Sequence, residues 1–153
     1  VEGREERQLA VAGDPDWDDY VFEVTTRLSE NSASDVAWVN AYLFARVQDD
    51  SNFYRFGLHG NDGLVDLYKC EDGQWTCLGI SNMFSSRGTW YALRLEAVGG
   101  SLRGYVNGRL VVSAEDTTFG TGRVGIGALK NFGKLETGAV NAFRHAVVKP
   151  VAQ

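Results

Sequence analysis

The chain has 153 residues, 44% of them hydrophobic, which is enough apolar sequence for one globular domain with its own core. Its formal net charge of -5 would repel nucleic acid and anionic membranes. No apolar run reaches the roughly 20 residues that a membrane-spanning helix needs. We therefore expect a single domain over residues 1–153, with its core at about 17–149, and neither a nucleic-acid nor a membrane partner.

The first half of the chain reads as a succession of short strands. Residues 8–12 form a candidate edge strand, and the run WDDYVFEVTTRLS alternates aromatic or β-branched residues with polar ones, as a half-buried strand does. The stretch 39–80 predicts four strands, because QDDSN, HGNDG and EDGQ supply turn-forming residues between them.

The second half begins with a predicted three-stranded meander at 88–116. Leucine and alanine alternate with Arg94 and Glu96, glycines 99 and 100 break the run, and Asn107 with Gly108 closes a tight hairpin. A glycine-rich strand and a last strand at 139–149 follow. No segment has a capped helical period of about 3.6 residues. The sequence therefore predicts an all-β protein with two packed sheets.

These landmarks resemble a known family. A Trp, an alternating strand, a Gly turn and a strand ending in YVNG are similar to concanavalin A-like jelly rolls, as are the WDDY start and the YRF strand after QDDSN. Within them, the chain looks most like laminin G-like sugar-binding modules and related bacterial domains of glycan-degrading proteins. The resemblance covers about 17–148. It implies a two-sheet antiparallel β-sandwich of the concanavalin A-like jelly-roll type, with a glycan groove on the concave sheet.

Two cysteines, Cys70 and Cys77, flank EDGQWT and are expected on facing strands of one hairpin. We predict a disulfide between them, and with it an exported, extracellular protein. Two reduced thiols in a cytosolic protein remain the alternative. A zinc site is disfavoured, because the chain holds only 2 His to complete a ligand set.

Strand parity selects the side chains that point away from the core. If Leu43, Ala45 and Val47 point inward, the residues between them point outward, and the same argument applies to the next strands. Aromatic rings can stack on sugar C–H faces, whereas Arg and His can bind hydroxyl or carboxylate groups. The candidate ligand-binding residues are Trp38, Tyr42, Arg46, Arg55, His59, Tyr68, Trp75, Arg103 and Tyr105. The three arginines suggest an acidic sugar.

No catalytic residue is assigned. Glycosidases of this fold resemble one another in a strand with two Glu spaced around an Asp, and the chain has no such triplet. A polysaccharide lyase stays open, since His59, Tyr68, Tyr105, Arg46 and Arg55 could converge as acid, base and charge-stabilising groups. The simpler interpretation of His59 is a turn residue of HGNDG. The lyase strand motifs of the jelly-roll alginate lyases are also missing.

Calcium is a further possibility that the resemblance raises. Related domains hold Ca²⁺ with a Glu of the first core strand and an Asp of the last strand, but here AFRHAVV places Arg144 at the latter position. Glu23 is therefore expected to pair with a cationic side chain. Asp14, Asp16, Asp18 and Asp19 offer oxygen ligands, although a solvated acidic turn is favoured. We expect no cofactor, with structural calcium as the alternative.

Together these features predict a secreted, non-catalytic carbohydrate-binding domain that recognises a polysaccharide on its concave sheet. Such a module would belong to a longer chain and hold an attached enzyme near its substrate. The alternatives are a polysaccharide lyase or other glycan-active enzyme, and a laminin G-like domain for protein interaction or adhesion.

Overall fold

The computed structural model describes residues 6–28, 39–60, 62–130 and 142–151. In these ranges the chain forms β-strands and no helix, so none of its described segments is a helix able to cross a bilayer. The strands are β1 (Glu6–Ala12), β2 (Tyr20–Arg27), β3 (Val39–Asp49), β4 (Asn52–His59), β5 (Leu64–Glu71), β6 (Gln74–Asn82), β7 (Trp90–Val98), β8 (Ser101–Val106), β9 (Arg109–Glu115), β10 (Arg123–Lys130) and β11 (Ala142–Pro150).

The strands pair into two antiparallel sheets that pack face to face. The six-stranded sheet has the order β1-β10-β3-β4-β5-β6, and the five-stranded sheet has the order β11-β2-β7-β8-β9. The predicted all-β, two-sheet sandwich is confirmed, with β1 at a sheet edge as expected. Both β6 and β9 are also edge strands, and they lie on the same side of the sandwich because β6 packs against β9.

Tight turns form where the sequence predicts them. Asn107 and Gly108, between β8 and β9, have φ angles of 50° and 80°. Asp72 and Gly73, between β5 and β6, have φ angles of 50° and 78°. Two successive positive φ angles characterise the hairpin turns that Asn-Gly and Asp-Gly favour, because glycine meets no Cβ clash there.

One apolar core lies between the sheets. The inward side chains of β3, β4 and β5 meet those of β2, β7 and β8, and burial of this apolar surface is the main stabilising term. Gly104 in β8 lets the sheets approach, because a Cβ on it would lie 2.8 Å from the Phe56 ring. The largest fully buried apolar residues of this core are Tyr20, Tyr54, Phe56, Leu28, Leu43, Leu58, Leu67, Leu93, Leu95 and Leu102.

The alternation of β3 is interrupted at Arg46. This residue has a φ angle of 48°, and the pairing of β3 with β4 shifts between Ala45 and Asp49. The irregularity turns Arg46 into the protein, whereas Val47 packs with Phe44 and Phe53 on the other side of the sheet. The prediction that Val47 points into the core between the sheets and Arg46 points outward is therefore wrong.

Candidate functional site

The outward side of the six-stranded sheet carries a cluster of aromatic and polar side chains on four adjacent strands. Strand register sets Phe44 beside Arg55 and Arg55 beside Tyr68, while Gly57 lies between Tyr42 and Asp66. Regular alternation in β4 and β5 places these side chains opposite the core. We call this surface the aromatic face, formed by Tyr42, Phe44, Arg55, His59, Asp66, Tyr68 and Trp75.

Arg55 lies at the centre of the aromatic face and touches three rings. Its guanidinium carbon is 4.3 Å from the ring centroid of Tyr42, 4.9 Å from that of Tyr68 and 4.8 Å from that of Trp75. Its Nη2 atom lies 3.4 Å from both carboxylate oxygens of Asp66. The rings and the carboxylate hold the planar cation in one orientation. Its buried Nε has no hydrogen-bond partner among the described residues.

Tyr68 is placed to act as a hydrogen-bond donor on this face. Burial, followed by the Cys77 thiol and the Asp66 charge, raises the pKa of Tyr68, and the nearby Arg55 only partly opposes the shift. The phenol therefore keeps its proton well beyond neutral pH. A protonated phenol can both donate to and accept from a ligand hydroxyl.

His59 and Asp66 form a buried polar pair at one end of the face. The His59 Nε2 and Asp66 Oδ2 atoms share a hydrogen bond of 2.6 Å. His59 is only 8% exposed, and its Nδ1 lies 3.6 Å from an Asp62 oxygen, too far for a hydrogen bond. Both ring nitrogens are thus directed at carboxylates within the protein rather than at solvent.

Trp75 is the most exposed ring of the aromatic face. It is 37% exposed, and its ring is supported edge-on by Phe53 at 5.5 Å and Tyr68 at 6.2 Å. Two further exposed apolar residues, Ile80 at 61% and Phe84 at 88%, follow it along the chain. Parity reasoning did not select Ile80 or Phe84; an apolar residue inside the polar stretch SNMFSSRG was the available signal for Phe84.

Arg46 has a structural position. Its side chain is 1% exposed, and its Nη1 donates to the carbonyl oxygens of Gly99 at 2.5 Å and Phe119 at 3.0 Å. Its Nη2 donates to the Asp18 carbonyl at 3.1 Å and lies 3.3 Å from the Asp19 carboxylate. These contacts join three chain segments and leave the guanidinium no outward surface. Its expected place on the outward face is therefore a wrong prediction.

Arg103 and Tyr105 belong to the other sheet. Both lie on β8, and Tyr105 stacks on Arg94 at 5.0 Å and hydrogen-bonds Glu96 at 3.3 Å. The expectation that they share a face with Arg55 is wrong, because the core separates the two surfaces. Trp38 lies outside the described residues. Five predicted residues do come together on the aromatic face: Tyr42, Arg55, His59, Tyr68 and Trp75.

The two cysteines lie in the β5–β6 hairpin as predicted, but no disulfide joins them. Cys70 is paired in register with Trp75, and Cys77 with Tyr68, so each sulfur faces an aromatic residue across the ladder. The cysteines occupy diagonal positions, where Cα atoms are about 7–8 Å apart, beyond disulfide range. The predicted disulfide is wrong, which removes the support it gave to export.

The acidic turn uses its carboxylates to bond the backbone. Asp14 Oδ1 accepts the Asp16 amide at 2.8 Å, and Asp19 Oδ1 accepts the Gly99 amide at 2.7 Å. Within the described ranges, no group of three or more His, Cys, Asp or Glu residues is placed to hold a metal ion. Glu23 pairs with a cation as expected, but the cations are Lys149 at 3.4 Å and Arg94 at 3.9 Å.

Arg144 instead stacks on Trp90, with its guanidinium carbon 3.6 Å from the ring centroid. On the outward side of the five-stranded sheet, the charged and aromatic side chains therefore contact one another. Glu23 bridges Lys149 and Arg94, while Arg94 also contacts Glu96. This surface contrasts with the aromatic face, where an exposed tryptophan lies beside buried polar groups.

Comparison with known proteins gives a family and a set of structural relatives. The family described as the 3-keto-alpha-glucoside-1,2-lyase-like domain matches residues 2–147. No curated protein matches the chain. The carbohydrate-binding module CBM66 from Bacillus subtilis has a TM-score of 0.79 at 18% identity, covering 95% of this chain and 83% of its own.

Two animal proteins have similar folds. The Caenorhabditis elegans galectin LEC-6 has a TM-score of 0.60 at 13% identity, covering 96% of this chain and 93% of its own. The homodimeric agglutinin CG-16 from chicken liver has a TM-score of 0.63 at 12% identity, covering 93% of this chain and 100% of its own. At these identities the similarity establishes the fold alone.

Proposed function

The chain belongs to the family of 3-keto-alpha-glucoside-1,2-lyase-like domains, and from this premise we propose that it binds carbohydrate on the aromatic face. The named activity of the family concerns a glycoside. The structural relatives include a carbohydrate-binding module, a galectin and an agglutinin, which supports a sugar as the ligand. In a longer protein, such a module would keep an attached enzyme near its substrate.

The observation that carries the proposal is the exposed Trp75 ring beside the partly exposed Arg55, which the buried Asp66 holds in place. A sugar presents C–H groups on its ring faces and hydroxyl groups around its rim. Trp75 offers an apolar platform for the former, while the partly exposed side chains of Arg55 and the protonated Tyr68 offer hydrogen-bonding groups for the latter. The three rings around Arg55 fix its direction, so little side-chain freedom is lost on binding.

Affinity electrophoresis tests this function. The protein is run through native gels that contain a neutral β-glucan, an α-glucan, pectin, alginate or no polysaccharide. We expect retardation in at least one gel, and its loss on Trp75→Ala. Tyr105→Ala is the matched control, because Tyr105 also stacks on an arginine but lies on the opposite sheet. Equal retardation of both variants would place binding elsewhere, and no retardation of the wild type would favour the protein-interaction alternative.

A glycan-active enzyme is the second candidate, because His59 is held by Asp66 at 2.6 Å in the way that a general base is often held. A 1,2-elimination from a 3-keto-glucoside removes the C2 proton, which the neighbouring ketone acidifies. Its electron pair forms the C1=C2 double bond as the C1–O bond breaks, and the leaving oxygen takes up a proton. His59 would accept the C2 proton. We favour binding over this reaction because both His59 ring nitrogens are directed at protein carboxylates.

The enzyme candidate has its own test. A 3-keto-α-glucoside is incubated with the protein, and ultraviolet absorption of the unsaturated ketone product is followed with time. An increase that His59→Gln abolishes, with unchanged thermal unfolding, would establish catalysis. A flat signal from a wild-type protein that binds polysaccharide would leave the binding function alone.

A further inference from the structure

We propose that the site extends along β6 beyond Trp75 and holds an internal segment of a neutral, linear polysaccharide, several sugars long. This inference rests on the proposed function and specifies the ligand of the same site. It is carried by a line of exposed apolar side chains that begins at Trp75, passes Ile80 and ends at Phe84.

Strand register gives the direction and length of this line. Trp75 pairs with Cys70 and Ile80 pairs with Asp66, so both lie on the outward side of β6 next to the aromatic face. The ring of Phe84 lies over Gly63, because a Cβ on Gly63 would be 2.6 Å from its Cε1 atom. The distance from Cys70 to Gly63 is about 23 Å at roughly 3.3 Å per strand residue. Several consecutive sugar units fill such a length, whereas a single terminal sugar does not.

Phe84 is held in its exposed position by its neighbours. Met83 turns toward the core, and its amide donates to the Gly63 carbonyl at 2.8 Å. The Ser85 hydroxyl donates to the His59 carbonyl at 3.2 Å. Between these anchored residues Phe84 lies exposed over Gly63, next to Leu64, which pairs with His59. An 88% exposed phenylalanine fixed in this way is suited to stacking on a ligand.

The charges along the line favour a neutral ligand. Strand β6 contains no charged residue, and Asn82, which follows Ile80 by two residues and pairs with Leu64, adds an exposed amide on the outward side. The single arginine of the aromatic face is neutralised by Asp66 at 3.4 Å. Asp62 adds a further negative charge near His59. A uronate or sulfated sugar would find no uncompensated cation among these residues, whereas the hydroxyls of a neutral sugar can bond the Asn82 amide.

Calorimetric titration with oligosaccharides of graded length tests the inference. The probes are dimers to hexamers of cello-, laminari- and malto-oligosaccharides, with oligogalacturonates as the acidic series. We expect affinity for one neutral series to rise about tenfold from dimer to hexamer, which is roughly 1.4 kcal/mol. Phe84→Ala should remove this gain and leave the dimer affinity unchanged. Leu110→Ala is the control, because Leu110 is 47% exposed on the other sheet and should change neither value.

The possible results separate the two proposals. If dimer and hexamer bind equally and Phe84→Ala has no effect, while Trp75→Ala still abolishes binding, the extended site is wrong and the carbohydrate function stands. Preference for oligogalacturonate would overturn the neutral ligand. If the wild type binds none of the probes, both proposals fall. Sedimentation velocity tests whether a second copy of the chain occupies the line instead. If the wild type is a dimer that Phe84→Ala converts to a monomer, and binding does not depend on oligosaccharide length, the line is an interface between two copies and the extended sugar site is wrong.

Discussion

The Oδ1 atom of Asp66 lies 2.6 Å from the position that a Cβ on Gly57 would occupy. The Tyr42 ring lies 2.8 Å from the same position. Gly57 therefore makes room for both side chains, and through them for Arg55, which contacts each. We expect Gly57→Ala to displace this cluster and weaken polysaccharide binding about tenfold, or roughly 1.4 kcal/mol, in a titration.

Gly120 supplies the matched control for that substitution. A Cβ on Gly120 would meet no atom within 4 Å. Gly120→Ala should therefore bind like the wild type. If Gly57→Ala also binds normally while remaining folded, the close packing of Asp66 and Tyr42 is not needed for the site.

Arg46 is expected to matter for stability rather than for binding. Arg46→Met removes the buried donor to the Gly99 and Phe119 carbonyls and the cation beside the Asp19 carboxylate. Loss of one partner of a buried charged network costs about 3 kcal/mol of unfolding free energy. Urea denaturation measures this loss. Arg103→Met, exposed on β8, should change the free energy of unfolding by less than about 0.5 kcal/mol, and equal effects of the two variants would contradict the assignment.

Asp116 is expected to make stability depend on acid pH. Burial alone would raise its pKa, but hydrogen bonds from Tyr54, Thr118 and Lys69 outweigh burial and lower the pKa from 3.8 to about 2. The ionised carboxylate therefore stabilises the fold above pH 3.8, and this stabilisation is lost as pH falls through about 2.

Urea denaturation at pH 5 and at pH 2 tests this dependence. Asp116→Asn should reduce the difference in unfolding free energy between the two pH values by about 1 kcal/mol, allowing for solvent near the carboxyl group. Parallel changes in the variant and the wild type would show that Asp116 does not carry the effect.

The absence of a disulfide between Cys70 and Cys77 can be tested by titrating their thiols with a disulfide reagent. Cys77 is exposed and Cys70 is 1% exposed, with no bond between their sulfur atoms. We expect one thiol to react quickly with a disulfide reagent in the folded protein and the second only after unfolding. A reducing agent should leave the melting temperature unchanged. Two unreactive cysteines in the unfolded chain would indicate the disulfide instead.

The strands and their turns could be predicted because their signals are local. Alternation, Asn-Gly and Asp-Gly turns located the hairpins, including the one at Asn107 and Gly108. Alternation likewise directed Tyr42, Arg55 and Tyr68 outward on adjacent strands. The same rule failed at Arg46, because a positive φ angle in a non-glycine residue interrupts the pleat and has no sequence signature of its own.

The sequence also did not predict which of the two sheets each strand joins. Alternation in β8 gives Arg103 and Tyr105 a common side, but it does not say which sheet the strand joins. The pairing of β7 with the distant strand β2 decides that, because it brings the whole β7–β8–β9 meander into the five-stranded sheet. The cysteine prediction failed because it did not apply the register that the turn sets. A two-residue turn at Asp72 and Gly73 pairs Cys70 with Trp75, so Cys77 lies two residues further along the partner strand.

The most direct measurement of the central claim is a nuclear magnetic resonance titration of the ¹⁵N-labelled protein. The ligand is an oligosaccharide fragment of the polysaccharide that retards the protein in gels. Trp75→Phe assigns the Trp75 indole signal. We predict a saturable shift of that signal and of the Arg55 Nε–H, while the Trp90 indole on the other sheet stays in place. Shifts confined to Trp90 and the residues of the five-stranded sheet would contradict carbohydrate binding at the aromatic face.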